Sequence, residues 1–554
     1  MKMSDIMKKN NFIEGTFIAT FAIVFVKILG LLYVVPFYSI IGSKGGALYG
    51  YAYNIYCIFV AISSTGIPVA ISKIISEYNT LGYLEAKVRA FNIGKKVISV
   101  ISVLLFFVMF IFAPSVAKLI LGELSGGNSI GDVAFVIRCI SFAILVIPYL
   151  SITKGYLQGH KYIKPSSVSQ VIEQIVRIAI ILAGSYLSIK VFNLSVKIGV
   201  GVAVTGAFFG GLAAIMYLKN KIKSNKEELG LNVTKKDNIS NREIVKKIVD
   251  YTIPYVIINV AVQVYSLIDM VLINRVMQYI GYDATTVEFI TSAITTWAVK
   301  LNMIINSLAM GMTISLIPNI VSSFVKNDWK DVNNKINKAI EIIIIIAVPL
   351  TVGLSFLSIP VWTVFYGYSN IGSSILRFSI YTAFFSTMYL TVLSILQGLN
   401  KFKAVYFTTI SGFLCNAILD APLMLLFSKI GIPPYYGATV ATIIGYTLSL
   451  LIGLLSIKKA HSLSYKPFVT TFFKVLIPTF VMIISLIIMN KIFVYDYTSK
   501  LLCLMYIVIE TIIGGLIYLV ITYKMKLFNE VFGTKLVHKV IKKITFGKVI
   551  LKDN

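Results

Sequence analysis

Residues 97–117 read VISVISVLLFFVMFIFAPSVA, twenty-one positions without a charged side chain. Coiled as an α-helix at about 1.5 Å per residue, a run of that length crosses the ~30 Å hydrocarbon core of a bilayer. Comparable runs recur from one end of the chain to the other. In lipid each segment must satisfy its own backbone hydrogen bonds, which helices do, and the ten-residue alternation of an outer-membrane barrel is absent from the sequence. Composition agrees: the 554 residues are 57% hydrophobic and 13% charged, about half the ~25% charge of soluble domains. The sequence therefore predicts an all-α polytopic membrane protein with about fourteen spans. They are placed at 12–40, 50–75, 94–117, 132–154, 167–189, 198–218, 251–276, 288–318, 338–360, 371–396, 402–427, 436–457, 471–490 and 501–523.

A formal charge of +28 would suggest nucleic acid in a soluble protein. Here topology accounts for it. Alternate loops hold roughly 38 Lys and Arg on one side and roughly 8 on the other, so the positive-inside rule sets both termini and the 219–250 loop in the cytoplasm. No nucleic-acid partner is expected. The tail from Lys524 to Lys552 suits anionic lipid. The opening MKMSDIMKKNN is basic and no small-residue cleavage site follows, so the first apolar run reads as a retained helix. Cys57, Cys139, Cys415 and Cys503 form no CxxC pair and read as packing residues. His160, His461 and His538 show no metal-ligand spacing. Neither metal nor organic cofactor is expected.

The lysine-rich loop 219–250 divides the chain into a six-helix lobe at 1–218 and another at 251–457. Two further helices follow at 458–523, and a basic tail at 524–554. Internal similarity supports the division. At one constant spacing, Leu157-Gln158-Gly159 recurs as Leu396-Gln397-Gly398, Arg138 as Arg377, and Lys164 as Lys403, while Arg177 falls on Asn416. Tyr149-Leu150 recurs one residue further on, as Tyr389-Leu390. Six helices per copy make the repeats parallel, related by an axis along the membrane normal, an architecture suited to alternating access.

Ionisable groups inside a bilayer cost roughly 2.5–3.5 kcal/mol each, so each requires a reason. Lys27 sits midway along the first helix, with Gly30 and Pro36 beyond it able to bend that helix. Gln170, Glu173, Gln174 and Arg177 form one polar stripe on the fifth helix. Asn259, Gln263, Ser266 and Asp269 do the same on the seventh; Ser292, Thr296 and Lys300 follow on the eighth, with Asn302 and Asn306 nearby. Asn416 and Asp420 lie one turn apart on the eleventh. One reading has these stripes line a wet cleft, where Lys27, Arg177 and Lys300 receive an anion with Glu173, Gln170 and Asn302 beside them. The plainer reading is that they hold helices together, Glu173 neutralising Arg177 at i, i+4. The cleft is favoured for Lys27 and Lys300, which have no carboxylate within a turn.

At these residues the chain resembles a known family. Ser64-Thr65-Gly66-Ile67-Pro68-Val69-Ala70-Ile71-Ser72-Lys73, Gly155-Tyr156-Leu157-Gln158-Gly159 and Ser169-Gln170-Val171-Ile172-Glu173-Gln174 resemble the polysaccharide-flippase branch of the multidrug/oligosaccharidyl-lipid/polysaccharide exporter superfamily. More narrowly, the chain is similar to the stage V sporulation protein B and MurJ-type lipid II flippases, over roughly residues 12–525. The resemblance implies two six-helix lobes in a V, alternating access, and a saccharide substrate carried on a polyprenyl diphosphate. It also implies that Lys27 serves the cavity, and that Lys300, in Ala298-Val299-Lys300, binds the diphosphate. The family's better-known members have arginine at both places; a lysine attracts a diphosphate as a point charge and does not grip it bidentately. The helices at 471–490 and 501–523 resemble the pair that forms a groove for the lipid tail.

These readings give a transporter in the plasma membrane of a bacterium, carrying the peptidoglycan precursor lipid II from the cytoplasmic to the outer leaflet. Its expected partners are the lipid-linked substrate, membrane lipids and the cell-wall synthesis machinery. No P-loop occurs, so membrane potential, H⁺ or Na⁺ is expected to supply the drive, with Asp269 and Asp420 the candidates for ion coupling. The alternatives are a flippase for another lipid-linked glycan, a multidrug or cation exporter of the same fold, and a membrane polymerase or ligase. An exporter of cations would favour carboxylates in the cleft, where these charges lean positive. An enzyme would need acid–base groups gathered at the outer surface, and Glu123, Asp132, Asp283, Glu288 and Asp496 form no evident cluster.

Overall fold

The computed structural model describes residues 12–122, 124, 126–229, 237–461, 464–492, 496–534 and 537. Their regular structure is entirely helical. The chain opens with α1 (Phe12–Leu32), α2 (Val34–Ser64), α3 (Gly66–Leu81), α4 (Leu84–Ile111), α5 (Ala113–Leu121), α6 (Ile130–Gly159) and α7 (Ile163–Tyr186). It continues through α8 (Val196–Val204), α9 (Gly206–Ser224), α10 (Asn241–Ile280), α11 (Ala284–Ser292), α12 (Ala298–Val325), α13 (Trp329–Phe356) and α14 (Ser358–Tyr366). It closes with α15 (Asn370–Gly398), α16 (Phe402–Lys429), α17 (Tyr435–His461), α18 (Lys466–Ile492), α19 (Lys500–Lys524) and α20 (Leu527–Phe532). Two π turns, Leu187–Val191 and Ala293–Trp297, interrupt the series. His538 and the tail beyond Val537 lie outside the described residues.

Twelve helices among the described residues are long and apolar enough to cross a membrane, so the chain is a multi-pass, all-α membrane protein as its composition implies. Their bounds differ from the expected spans at several places. The first expected span, 12–40, divides at Tyr33, with α1 ending at Leu32 and α2 starting at Val34. Beyond it, Gly-Ser-Lys-Gly-Gly at 42–46 reads as a loop, yet α2 runs through it with one kink, at Gly42 (φ 66°). The other glycines are there for packing. A Cβ on Gly46 would lie 2.9 Å from the Tyr38 ring, and one on Gly50 would lie 2.7 Å from the Thr296 hydroxyl. The expected span 288–318 is likewise divided, α11 giving way to the second π turn before α12.

The described residues fall into two compact units. The first takes in Met1–Lys300 with Thr409–Thr442, the second Leu301–Thr408 with Ile443–Asn554. In the first, α2, α3, α4 and α9 pack around the buried α6, while α7 is laid between α1 and α9. The α7–α9 contact is close because α9 carries Gly206 and Gly210 four residues apart. A Cβ at Gly206 would stand 2.7 Å from the Arg177 carbonyl oxygen, and one at Gly210 2.5 Å from that of Glu173. Small residues at this spacing let membrane helices approach backbone to backbone. In the second unit α13 packs against α15 and α18, and the Tyr518 hydroxyl donates to the Ile345 carbonyl at 2.6 Å. At its end α20 is tied down by Lys474–Glu530 at 2.8 Å and by Lys338 donating to the Glu530 carbonyl at 2.6 Å. A pocket of about 490 Å³ opens among α13, α18 and α19, walled by Ile345, Pro349, Met482, Leu486 and Tyr518, with Glu510 on its lining.

Candidate functional site: a tyrosine-lined cationic cluster and a buried carboxyl pair

In the first unit the sequence brings aromatic rings and cations together by simple helical spacing. Tyr49, Tyr53 and Tyr56 recur at i, i+4 and i+7 on α2 and so share a face. Tyr49 and Tyr53 stack at 5.4 Å between centroids, and the Tyr33 and Tyr49 hydroxyls meet at 3.3 Å. Lys300 follows the second π turn by three residues. Its ammonium donates to the Tyr33 hydroxyl at 3.3 Å and lies 5.5, 5.8 and 5.3 Å from the ring centroids of Tyr33, Tyr49 and Tyr53. Ring faces hold a cation by their quadrupole without neutralising its charge.

Beside them stands an ion network on α6 and α7. Glu173 takes Arg177 at 2.6 Å and Lys154 at 2.9 Å, two cations on one carboxylate. Arg177 lies within electrostatic reach of Tyr33, Tyr49 and Tyr53, the same tyrosines that surround Lys300. The assembled group carries three cations against one carboxylate. An excess of positive charge attracts an anion, and the surrounding tyrosines offer hydroxyls that hydrogen-bond and ring faces that stack.

Each expected residue has a definite place. Arg177, Glu173 and Lys300 are brought together. Lys27 stands on α1 nearly two turns before Tyr33, half-buried, and Gly30, one turn beyond it, faces the Gln174 amide. Gln170 is half-buried on α7, two turns before Arg177. Asn302 is not brought to Lys300: two residues apart, they leave a helix in opposing directions. Asn302 falls in the second unit, where it donates to the Ser379 carbonyl at 3.1 Å. Lys154 is the residue sequence reasoning missed. It lies near the end of α6 beside the Leu157-Gln158-Gly159 motif, and its only signal was a positive charge in the mostly apolar stretch after Arg138.

A second cluster forms where α10, α16 and α17 meet. Asp269 and Asp420, which sequence reasoning singled out separately, touch through their carboxyl groups; Asp420 is fully buried and Asp269 nearly so. Asn416 donates to Asp269 at 3.4 Å and to the Thr442 hydroxyl at 3.2 Å, and Thr442 donates to Asp269 at 3.4 Å. Both Asp420 oxygens and the Asn416 carbonyl oxygen find no N–H or O–H donor among the described residues. Two touching carboxylates shut away from water share a proton or hold a cation between them. Carboxyl, amide and hydroxyl oxygens are the hard donors that suit Na⁺ or a proton rather than a soft metal. No group of three or more His, Cys, Asp and Glu occurs among the described residues.

The sequence matches the model of the family described as "Polysaccharide biosynthesis protein" over residues 12–324. The lipid II flippase MurJ of Bacillus subtilis is 33% identical over 535 residues, covering 95% of this chain and 97% of that protein. Stage V sporulation protein B of the same organism is 26% identical over 216 residues, 38% of this chain and 39% of that protein. Among solved structures, the lipid II flippase MurJ in an inward closed conformation superposes with a TM-score of 0.64 at 20% identity, covering 92% of this chain and 99% of that one. An inward-facing multidrug resistance transporter of the MATE family superposes at 0.63 and 15% identity, over 79% and 94%. At these identities the superpositions establish the fold.

Proposed function

The chain belongs to the polysaccharide biosynthesis protein family, and from that premise we propose that it is a flippase. It moves a saccharide linked to a polyprenyl diphosphate, the peptidoglycan precursor lipid II, from the cytoplasmic to the outer leaflet of the bacterial plasma membrane. The observation that carries this reading is the cluster of Lys300, Arg177 and Lys154, three cations held in a membrane helix bundle with one carboxylate to offset them. Such an excess is costly unless an anion completes it. A diphosphate does so, and cannot cross hydrocarbon without an equivalent of the hydration it loses.

Each part of the substrate has a counterpart. The diphosphate meets the ammonium and guanidinium groups, Arg177 able to take two oxygens in its fork while Lys300 acts as a point charge. Lys27 attracts the head group along α1. The sugar meets tyrosine hydroxyls and ring faces, and the isoprenoid tail, apolar throughout, stays in the hydrocarbon of the bilayer. Both termini face the cytoplasm, so the basic loops meet the leaflet where the precursor is made. Transport is coupled to Na⁺ or H⁺ at Asp269 and Asp420, which bind the ion through oxygen donors, and the chain works beside the cell-wall synthesis machinery. A cation exporter is disfavoured by the sign of the charge in the cluster.

The test is complementation. A bacterium depleted of its own lipid II flippases should grow when it expresses this chain, and fail when it expresses a membrane-inserted Lys300→Ala variant at equal level. Failure of well-expressed wild type to restore growth would remove lipid II as substrate.

A further inference from the structure

Between the carboxyl pair and the cationic cluster, wholly in the first unit, a short chain of side-chain hydrogen bonds centred on Asn54 runs from a residue one turn before Asp269 to one about a turn before Lys300. Its amide nitrogen donates to the Thr296 hydroxyl at 2.9 Å and to the Gly50 carbonyl at 2.9 Å. Its amide oxygen accepts from the Ser266 hydroxyl at 2.9 Å. On α10, Ser266 precedes Asp269 by one turn. Thr296 lies in the π turn and precedes Lys300 by about one turn. Tyr53, adjacent to Asn54 on α2, carries its ring 5.3 Å from the Lys300 ammonium.

We infer that Asn54 is the positioning residue through which the state of the Asp269–Asp420 pair sets the place of Lys300. The inference rests on the proposed substrate and ion sites. The amide uses both of its donor hydrogens and its acceptor, and each partner is on a different element or on its own helix. A shift of α10 when the carboxyl pair loses its ion or proton cannot leave all three bonds intact. Either Thr296 follows, moving the π turn and Lys300 with it, or Asn54 lets go and Tyr53 turns away from the ammonium. A π turn is the segment best able to absorb such a step, because its extra residue already breaks the regular hydrogen-bond ladder. Nearby, Asn274 receives Thr291 at 2.6 Å and donates to the Ile120 carbonyl at 2.8 Å. That fixes the far end of α10 to α11 and leaves the Asn54 end as the adjustable one.

A double-mutant cycle tests this, because coupling through a residue is what such a cycle measures. The affinity of the purified full-length protein for undecaprenyl diphosphate is measured for wild type, Asp420→Asn (one carboxyl of the pair permanently neutralised), Asn54→Leu, and the double variant. Asp420→Asn is expected to change the affinity by about fivefold or more in the wild-type background and by less than about twofold in the Asn54→Leu background. Ser266→Ala should likewise uncouple and Ser266→Thr, which keeps the hydroxyl, should not; a purely structural role for the region would not separate these two. Persistence of the full Asp420→Asn effect in both Asn54→Leu and Ser266→Ala overturns the relay and leaves both sites standing. An Asp420→Asn effect absent from the wild-type background overturns the coupling reading itself, and the relay with it.

Discussion

Lys300 donates to the hydroxyl of Tyr33 across 3.3 Å while the ring of Tyr53 lies 5.3 Å from the same ammonium. A lysine in a bilayer is thus held ready by groups that leave its charge uncancelled. Truncating it to Met should cost about 2–5 kcal/mol of diphosphate binding, the range for losing one partner of a desolvated charge pair. Tyr53→Leu removes a cation–π contact of about 0.5–1 kcal/mol and should weaken binding only a few-fold. Titration with undecaprenyl diphosphate checks both; equal losses in the two variants would mean that the ring, not the charge, holds the ligand.

Glu173 restrains two cations, Lys154 at 2.9 Å and Arg177 at 2.6 Å. Glu173→Gln leaves them without a counter-charge and should cost up to about 3 kcal/mol of stability. The sign reverses on adding ligand: a polyprenyl diphosphate should raise the melting temperature of Glu173→Gln by more than that of wild type, since the anion takes the carboxylate's place. A thermal-shift series reads both effects. Equal ligand stabilisation in the two proteins would place the diphosphate elsewhere.

Neutralising one member of the carboxyl pair, by Asp269→Asn or Asp420→Asn, should remove the dependence of transport on sodium or pH while leaving the protein folded. The measurement is the rate of lipid II flipping in proteoliposomes across a range of sodium concentrations at fixed ionic strength, repeated across pH. An unchanged response in both variants would free the pair from any coupling role.

The α7–α9 approach makes a stability prediction. Gly210→Ala would set a methyl 2.5 Å from the Glu173 carbonyl oxygen, and overpacking of this kind costs about 1–3 kcal/mol. Gly515→Ala, where a Cβ meets nothing within 4 Å, is the matched control and should melt like wild type.

The membrane fold was legible because lipid demands long apolar helices, and Lys300, Arg177 and Glu173 were legible because charge in hydrocarbon is expensive. What adjacency alone creates was not. Asp269 and Asp420 stood out separately on the seventh and eleventh helices, but nothing in a single sequence says that they touch or that Thr442 joins them. Gly46 fell between the expected spans and Gly50 at the start of one, with nothing to show that they admit Tyr38 and Thr296. Asn54 carries no charge and breaks no helix, so it gave no signal at all. Its place became visible only with Ser266 and Thr296 on either side.

The central claim, that the cationic cluster carries a lipid-linked diphosphate saccharide across the bilayer, is tested most directly in proteoliposomes. They contain fluorescently labelled lipid II, and a membrane-impermeant quencher is added outside. Wild-type protein should expose inner-leaflet lipid II to the quencher at least about tenfold faster than Lys300→Met at equal reconstitution. If wild-type vesicles quench no faster than protein-free ones, or if Lys300→Met matches wild type, the account is contradicted.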